Sequence, residues 1–190
     1  MGYAWNGLIH TVVHQRNMRM HVISAVLVSL VGAGIPLGLA EKVTLIFCVL
    51  LVLFAEMLNS ALEQLVDLAI QQFDEKARLT KDAAAGGVLV LAIGSIVIFA
   101  AVLVHNADAV LTNLDAVQRQ VIYGIPMTIC AGTLMHERRR PKWVDALTFA
   151  VGLGLLTVTV SWSNSLVFSS MTFGMLVVAA AAARERHRTQ

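Results

Sequence analysis

A succession of apolar blocks runs the length of this chain, each roughly 18 to 25 residues long, about what a helix needs to cross a hydrocarbon core. Inside a bilayer the backbone finds no water, so such a block satisfies its amide groups by forming a helix. The alternation over about ten residues that marks a membrane barrel strand is absent. Composition agrees: 57% of the 190 residues are hydrophobic and only 14% charged, against about a quarter charged in a soluble domain. These features predict an all-α integral membrane protein with six spans, near 22–39, 43–69, 83–104, 121–135, 143–161 and 166–183.

Ahead of the first span, Trp5, Leu8, Ile9, Val12 and Val13 alternate with His10, His14, Gln15 and Arg16. This pattern suits a helix lying at the membrane interface, or the start of the first span. The apolar block from Val22 follows two arginines and carries no small-residue cleavage site, so it reads as a retained span. Arg16, Arg19, Lys76, Arg78, Lys81, Arg138, Arg139, Arg140, Lys142, Arg184, Arg186 and Arg188 would share one side, leaving Lys42 and Arg119 opposite. By the positive-inside rule that side is cytoplasmic and holds both termini. The fourth span is short and contains Pro126.

The polar stretch 106–120 divides the chain into a first module, 1–105, and a second, 121–190, with an extracytoplasmic linker between them. Gly152, Gly154, Gly174 and the alanine run 179–183 predict close helix packing in the second module. Cys48 and Cys130 lie in apolar blocks without metal or disulfide spacing and read as packing residues. His10 and His14 share a helical face, but no third ligand accompanies them.

The most informative stretch is AEMLNSALEQLVDL, in the second span. Glu56, Glu63 and Asp67 fall at i, i+7 and i+11, within roughly 20° of one direction on a helix, with Asn59 about 60° to the side. A carboxylate at membrane depth costs about 2.5 to 3.5 kcal/mol on insertion scales, so a stripe of them calls for a use. Asp67 and Glu63 can be explained by solvation at the helix end. Glu56 follows LIFCVLLVLFA and has apolar turns on both sides. Next comes the charged loop QQFDEKARLTKDAAAGG, ending in Lys81 and Asp82. A lysine beside carboxylates suits polyphosphate chemistry, the ammonium facing phosphate oxygens and the acids holding a divalent cation. An interfacial anchor with a helix cap would look the same.

EMLNSALEQLVD, the charged loop and KDAAAGGVL together resemble the signature of prokaryotic diacylglycerol kinases and undecaprenol kinases. Upstream, GYAWNGL and QRNMRMH are similar to that family's opening segment, and the resemblance covers residues 2 to about 105. It implies a homotrimer with active sites shared between subunits, three membrane helices and an interfacial helix per core. It also implies an ATP-dependent lipid kinase of the bacterial cytoplasmic membrane that uses Mg2+. By the same resemblance Glu56 is the catalytic base, Asn59 shapes the site, Glu63 and Gln15 bind the metal, and Lys81, Asp82, Arg16 and Asp74 contact the nucleotide. The acceptor would be diacylglycerol or undecaprenol.

Two positions depart from the family pattern. Gln15 stands where a metal-binding glutamate is usual, and Asn6 where a lysine is common. No G-x-x-x-x-G-K-[ST] loop, protein-kinase motif set or dinucleotide fingerprint is present. The alternatives are a catalytically weakened family member acting as a membrane scaffold, and an ion- or proton-coupled transporter built on the intramembrane carboxylates. The second module carries no assignable motif. HERRRPKW and RERHR read as topology signals that also attract anionic headgroups.

Overall fold

The computed structural model describes residues 2–136 and 140–188; Arg138 and Arg139, counted above as topology signals, lie outside them. The described chain is helical throughout: α1 (Gly2–His14), α2 (Arg16–Gly34), α3 (Leu39–Ala69), α4 (Glu75–His105), α5 (Ala107–Thr112), α6 (Leu114–Met135), α7 (Lys142–Ser161) and α8 (Leu166–Arg186). No strand occurs among the described residues.

The interfacial segment and the first span are separate helices. Gln15 takes extended backbone, with φ −102° and ψ 118°, and breaks α1 from α2. Arg19 Nη1 braces the junction by donating to the Val13 carbonyl at 2.7 Å. The helix of the first span begins earlier and ends earlier than expected, at Gly34 and not at residue 39. Pro36 explains this: it lacks an N–H and disfavours helical backbone at Ile35, which is extended with φ −112° and ψ 136°. Helices α3 and α4 have 31 residues each, about 46 Å at 1.5 Å per residue, longer than a hydrocarbon core. Their ends therefore project beyond it, and Asp74 caps α4 by accepting from the Ala77 N–H at 2.9 Å.

Among the described residues five helices, α2, α3, α4, α7 and α8, are long and apolar enough to cross a membrane. The expected fourth span lies in α6, which does not qualify by composition, since Asp115, Gln118, Arg119 and Gln120 occupy its first two turns. At 22 residues it is still about 33 Å long. It packs between α2, α7 and α8. Its polar groups bond inside the bundle: Gln120 Nε2 donates to the Thr159 carbonyl at 2.8 Å, and Thr128 Oγ1 to the Gly124 carbonyl at 2.8 Å. One face of this helix is buried against protein and the other exposes Ile122, Ile125 and Ile129, so its buried polar groups find partners in the bundle while its apolar side chains face outward.

Contacts sort the helix ends into two sets. At one end, Asn164 donates to the carbonyls of Ala33 and Gly34, and Asn106 Nδ2 to Glu41 Oε1 at 3.3 Å. At the other, Lys81 pairs with Asp67, and Arg186 donates to the carbonyl of His136. The second end also brings Trp5 and Asn6 of α1 beside Arg184 of α8 and Arg188 just after it, so α1 and the end of α8 lie together.

Helix α2 is the hub. It packs against α6 and α8 as well as α3, through a core of Met18, Val22, Val26 and Leu30 with Met127, Leu134, Leu176 and Ala179. Glycines permit the approach: a Cβ at Gly32 would lie 2.6 Å from the Phe168 ring, and one at Gly34 2.9 Å from Val117 Cα. Of the second-half glycines expected to serve close packing, Gly152 does so, facing Leu176 and Cys130, whereas Gly154 and Gly174 face open space. Cys48 and Cys130 are free thiols, Cys48 buried and Cys130 half-buried. Helix α4 packs mainly on α3, and Val88 is its one buried residue among those described.

Candidate active site

The buried face of α3 runs Leu45, Cys48, Val49, Val52, Glu56, Asn59 and Ser60, and it changes from apolar to polar at Glu56. Spacings of three, four and seven residues keep these side chains on one side of the helix. Their neighbours Leu53 and Met57 pack against the core cluster that contains Ile9, Val12, Met18 and Val22. The polar half of the stripe thus faces the region where α1 and α2 meet.

Glu56 is 1% exposed, and neither carboxylate oxygen has a hydrogen-bond partner among the described residues. Leaving a buried acceptor unsatisfied costs about 1–3 kcal/mol, and more for a charged group. Asn59 Nδ2 donates to Glu63 Oε1 at 3.1 Å, while Asn59 Oδ1 and Ser60 Oγ are likewise buried without partners among the described residues. Exposure then rises along the stripe: Glu63 is half-buried, and the Asp67 side chain is 68% exposed. Asp67 is therefore solvated at the helix end, as one of the two sequence readings allowed, and it pairs there with Lys81 of α4. From Glu56 to Asp67 is about 16 Å along the helix axis.

The α3–α4 turn holds an ion-pair network. Arg78 bridges Glu75 at 2.5 Å and Asp82 at 2.8 Å. Lys81 and Asp82, the expected nucleotide contacts, are thus both engaged with protein side chains at an exposed helix end. Asp74 serves as the α4 cap. Gln15 is half-buried at the α1–α2 break, and Arg16 is exposed one residue on. Both flanking helices contact α3.

One turn from Glu56 toward the opposite end of α3 lies an apolar cavity of about 210 Å³ between α2, α3 and α4. Val52, Val49, Ala25, Val28 and Phe99 line it, with His21 and Ser24 among its few polar groups. A carboxylate above an apolar chamber suits a molecule with a hydroxyl head and a hydrocarbon body.

Sequence reasoning missed Ser60, because a hydroxyl on a membrane helix normally bonds its own backbone. It also missed a buried cluster in the second half. Asp145, 7% exposed, accepts from Arg186 Nη2 at 2.5 Å and lies 2.8 Å from His187 Nε2. Only tertiary structure joins residues 41 apart, so no local signal marked this pair. The hydroxyls of Thr148, Thr157, Thr159, Ser169, Ser170 and Thr172 do bond backbone carbonyls of their own helices or caps, as expected. His14 Nδ1 lies 2.9 Å from the His10 carbonyl. No group of three His, Cys, Asp or Glu side chains able to hold a metal occurs among the described residues.

Comparison with known proteins follows the same division of the chain. A family model described as prokaryotic diacylglycerol kinase matches residues 2–103. The chain is 37% identical over 97 residues to a diacylglycerol kinase of Synechocystis sp., covering 50% of this chain and 55% of that protein. It is 32% identical over 96 residues to an undecaprenol kinase of Bacillus subtilis, covering 50% and 78%, respectively. A diacylglycerol kinase of Escherichia coli K12 is 28% identical over 96 residues, covering 50% and 79%. The chain thus spans only about half the length of the Synechocystis relative. No solved structure matches.

Proposed function

This chain belongs to the prokaryotic diacylglycerol kinase family, and from that premise we propose that it moves the γ-phosphoryl group of ATP to a membrane lipid alcohol. The acceptor is diacylglycerol or undecaprenol, the two alcohols named by its relatives. The observation that carries this reading is Glu56, a buried carboxylate without a partner among the described residues, one helical turn from an apolar cavity.

A lipid with its hydrocarbon in that cavity brings its hydroxyl to Glu56, which accepts the proton as the oxygen attacks the γ-phosphorus. The bond from phosphorus to the β–γ bridging oxygen breaks, and ADP leaves with that electron pair. Phosphoryl transfer is mostly positioning and charge stabilisation. Asn59, held by Glu63, orients the polar end of the site. Lys81 exchanges Asp67 for phosphate oxygens, which sets the nucleotide at the exposed end of the stripe.

Magnesium, when bound, neutralises phosphate oxygens; Glu63 and Gln15 are the oxygen donors that would hold it. Such a sparse set fits this ion, which takes one or two carboxylates and completes its shell with phosphates and water. The end that gathers the basic residues faces the cytoplasm, where ATP is available. The family's trimeric assembly carries over as part of the proposal.

The test is transfer of radiolabelled phosphate from ATP by purified protein in mixed micelles, offering diacylglycerol and undecaprenol separately. Label should enter one of them, and Glu56→Gln should lower the rate by about 10²- to 10⁴-fold, the usual worth of a general base. Absence of labelled lipid at every magnesium concentration would overturn the kinase reading and leave the scaffold and the ion- or proton-coupled transporter.

A further inference from the structure

A second site, outside the kinase stripe, lies at the same end of the bundle between α7 and α8. It is a cavity of about 420 Å³ with a basic mouth and an apolar floor. Lys142, Arg184 and Arg188 stand at the mouth, while Phe149 and Ala180 lie deeper. Lys142 and Phe149 are seven residues apart on one helix, about 10 Å along the axis. The cavity therefore reaches from the membrane surface into hydrocarbon depth.

The side chains of Lys142 and Arg184 are exposed and make no hydrogen bond or ion pair with any described residue. Arg188 lies 3.7 Å from Glu185. The acid in the wall, Asp145, is already matched by Arg186 behind it, so the mouth keeps a positive balance. Arg186 also donates to the carbonyls of His136 and, at 3.5 Å, Leu134, which ties the wall to the end of α6. The other Asp145 oxygen, Oδ1, is buried and has no donor among the described residues.

We propose that this cavity binds a membrane lipid with a phosphate monoester headgroup, its acyl chain along Phe149 and Ala180. Two features select that chemistry. A monoester carries about −1.5 to −2 charges near neutral pH, which suits a mouth where basic side chains outnumber acidic ones. Its second ionisation falls near pH 6, so it also keeps a proton part of the time and can donate to Asp145 Oδ1. A diester headgroup such as phosphatidylglycerol carries one charge and no such proton. The apolar floor favours a lipid-borne phosphate over a free one. This ligand class is also that of the product of the proposed transfer, but binding here does not depend on turnover.

Native mass spectrometry of the purified full chain in neutral detergent tests this, with phosphatidic acid, phosphatidylglycerol, phosphatidylcholine or inorganic phosphate titrated separately. Phosphatidic acid should bind in preference to the other lipids. The double variant Lys142→Gln, Arg184→Gln should weaken it about 25-fold, at about fivefold for each basic side chain near a membrane surface. Both side chains are exposed, so the fold should survive their replacement. Lys42→Gln, at the opposite end, and Lys81→Gln, in the kinase stripe, should leave this binding unchanged. Equal retention of all three lipids, or undiminished phosphatidic acid binding in the double variant, would overturn the proposal. Inorganic phosphate displacing the lipid at equal concentration would show a free-anion site. Loss of binding in Lys81→Gln alone would place the lipid in the kinase site.

Discussion

Glu56 differs from Glu63, Asp67, Asp82 and Asp145 in that no described side chain bonds its carboxylate. Asp67 has Lys81, Asp82 has Arg78, Glu63 has Asn59, and Asp145 has Arg186. A buried carboxylate left alone destabilises the chain that carries it; in the proposed reaction the lipid hydroxyl completes its hydrogen bonding. In the proposed metal site Gln15 stands where the family resemblance expects a glutamate, and its effect is measurable. An amide offers magnesium a neutral oxygen where a carboxylate would add a charge. Gln15→Glu should therefore lower the magnesium concentration for half-maximal transfer severalfold, with little change in the nucleotide KM; titrating magnesium against both forms checks this. An unchanged magnesium dependence would remove Gln15 from the metal site.

At the scale of elements, α3 shows how one helix carries two environments. Its 31 residues exceed the membrane thickness, so the same face passes from an apolar cavity wall through buried polar groups to a solvated ion pair. The period of Glu56, Glu63 and Asp67 already marked that face in the sequence; how deeply each residue is buried did not follow, because exposure depends on what α1, α2 and α4 cover. Glycine positions were legible as small residues but not as contacts. Gly34 meets backbone, Val117 Cα, which cannot rotate away. Gly34→Ala should thus separate α2 from the start of α6 and cost about 1–3 kcal/mol, the usual range for overpacking. Thermal unfolding in detergent would show it as a lowered midpoint. Gly154→Ala, which meets open space, is the comparison expected to show no such fall.

For the molecule as a whole, the second half is built onto the first. Helices α6 and α8 cover the α2 face that carries Met18, Val22, Val26 and Leu30. The family model ends at residue 103, and the match already takes in 79% of the Escherichia coli relative, too much to leave room there for three more helices of this size. In such a relative the corresponding face must meet lipid or another subunit. A chain ending at His105 should accordingly self-associate to a higher order than the full chain, as measured by light scattering in detergent. Identical masses per assembly, counted in subunits, would mean that α6 and α8 do not compete with subunit contacts. The outer faces of α3 and α4, with Phe47, Phe54, Leu89 and Ile93 exposed, remain available to lipid or to other copies in either form.

Much followed from sequence alone. Long apolar blocks require helices wherever water is absent, and the spacing of Glu56, Asn59 and Glu63 follows from the helical period. The Lys81–Asp82 pair and its neighbours were equally readable, since the α3–α4 hairpin is a local structure. Tertiary structure alone decided the rest. It separated α1 from α2 at Gln15, packed one face of a weakly apolar α6 on α2, α7 and α8, and buried Asp145 against Arg186. The physical reason is common to all three. Period and composition report the backbone's own needs, whereas burial and charge pairing depend on which distant segment supplies the other surface.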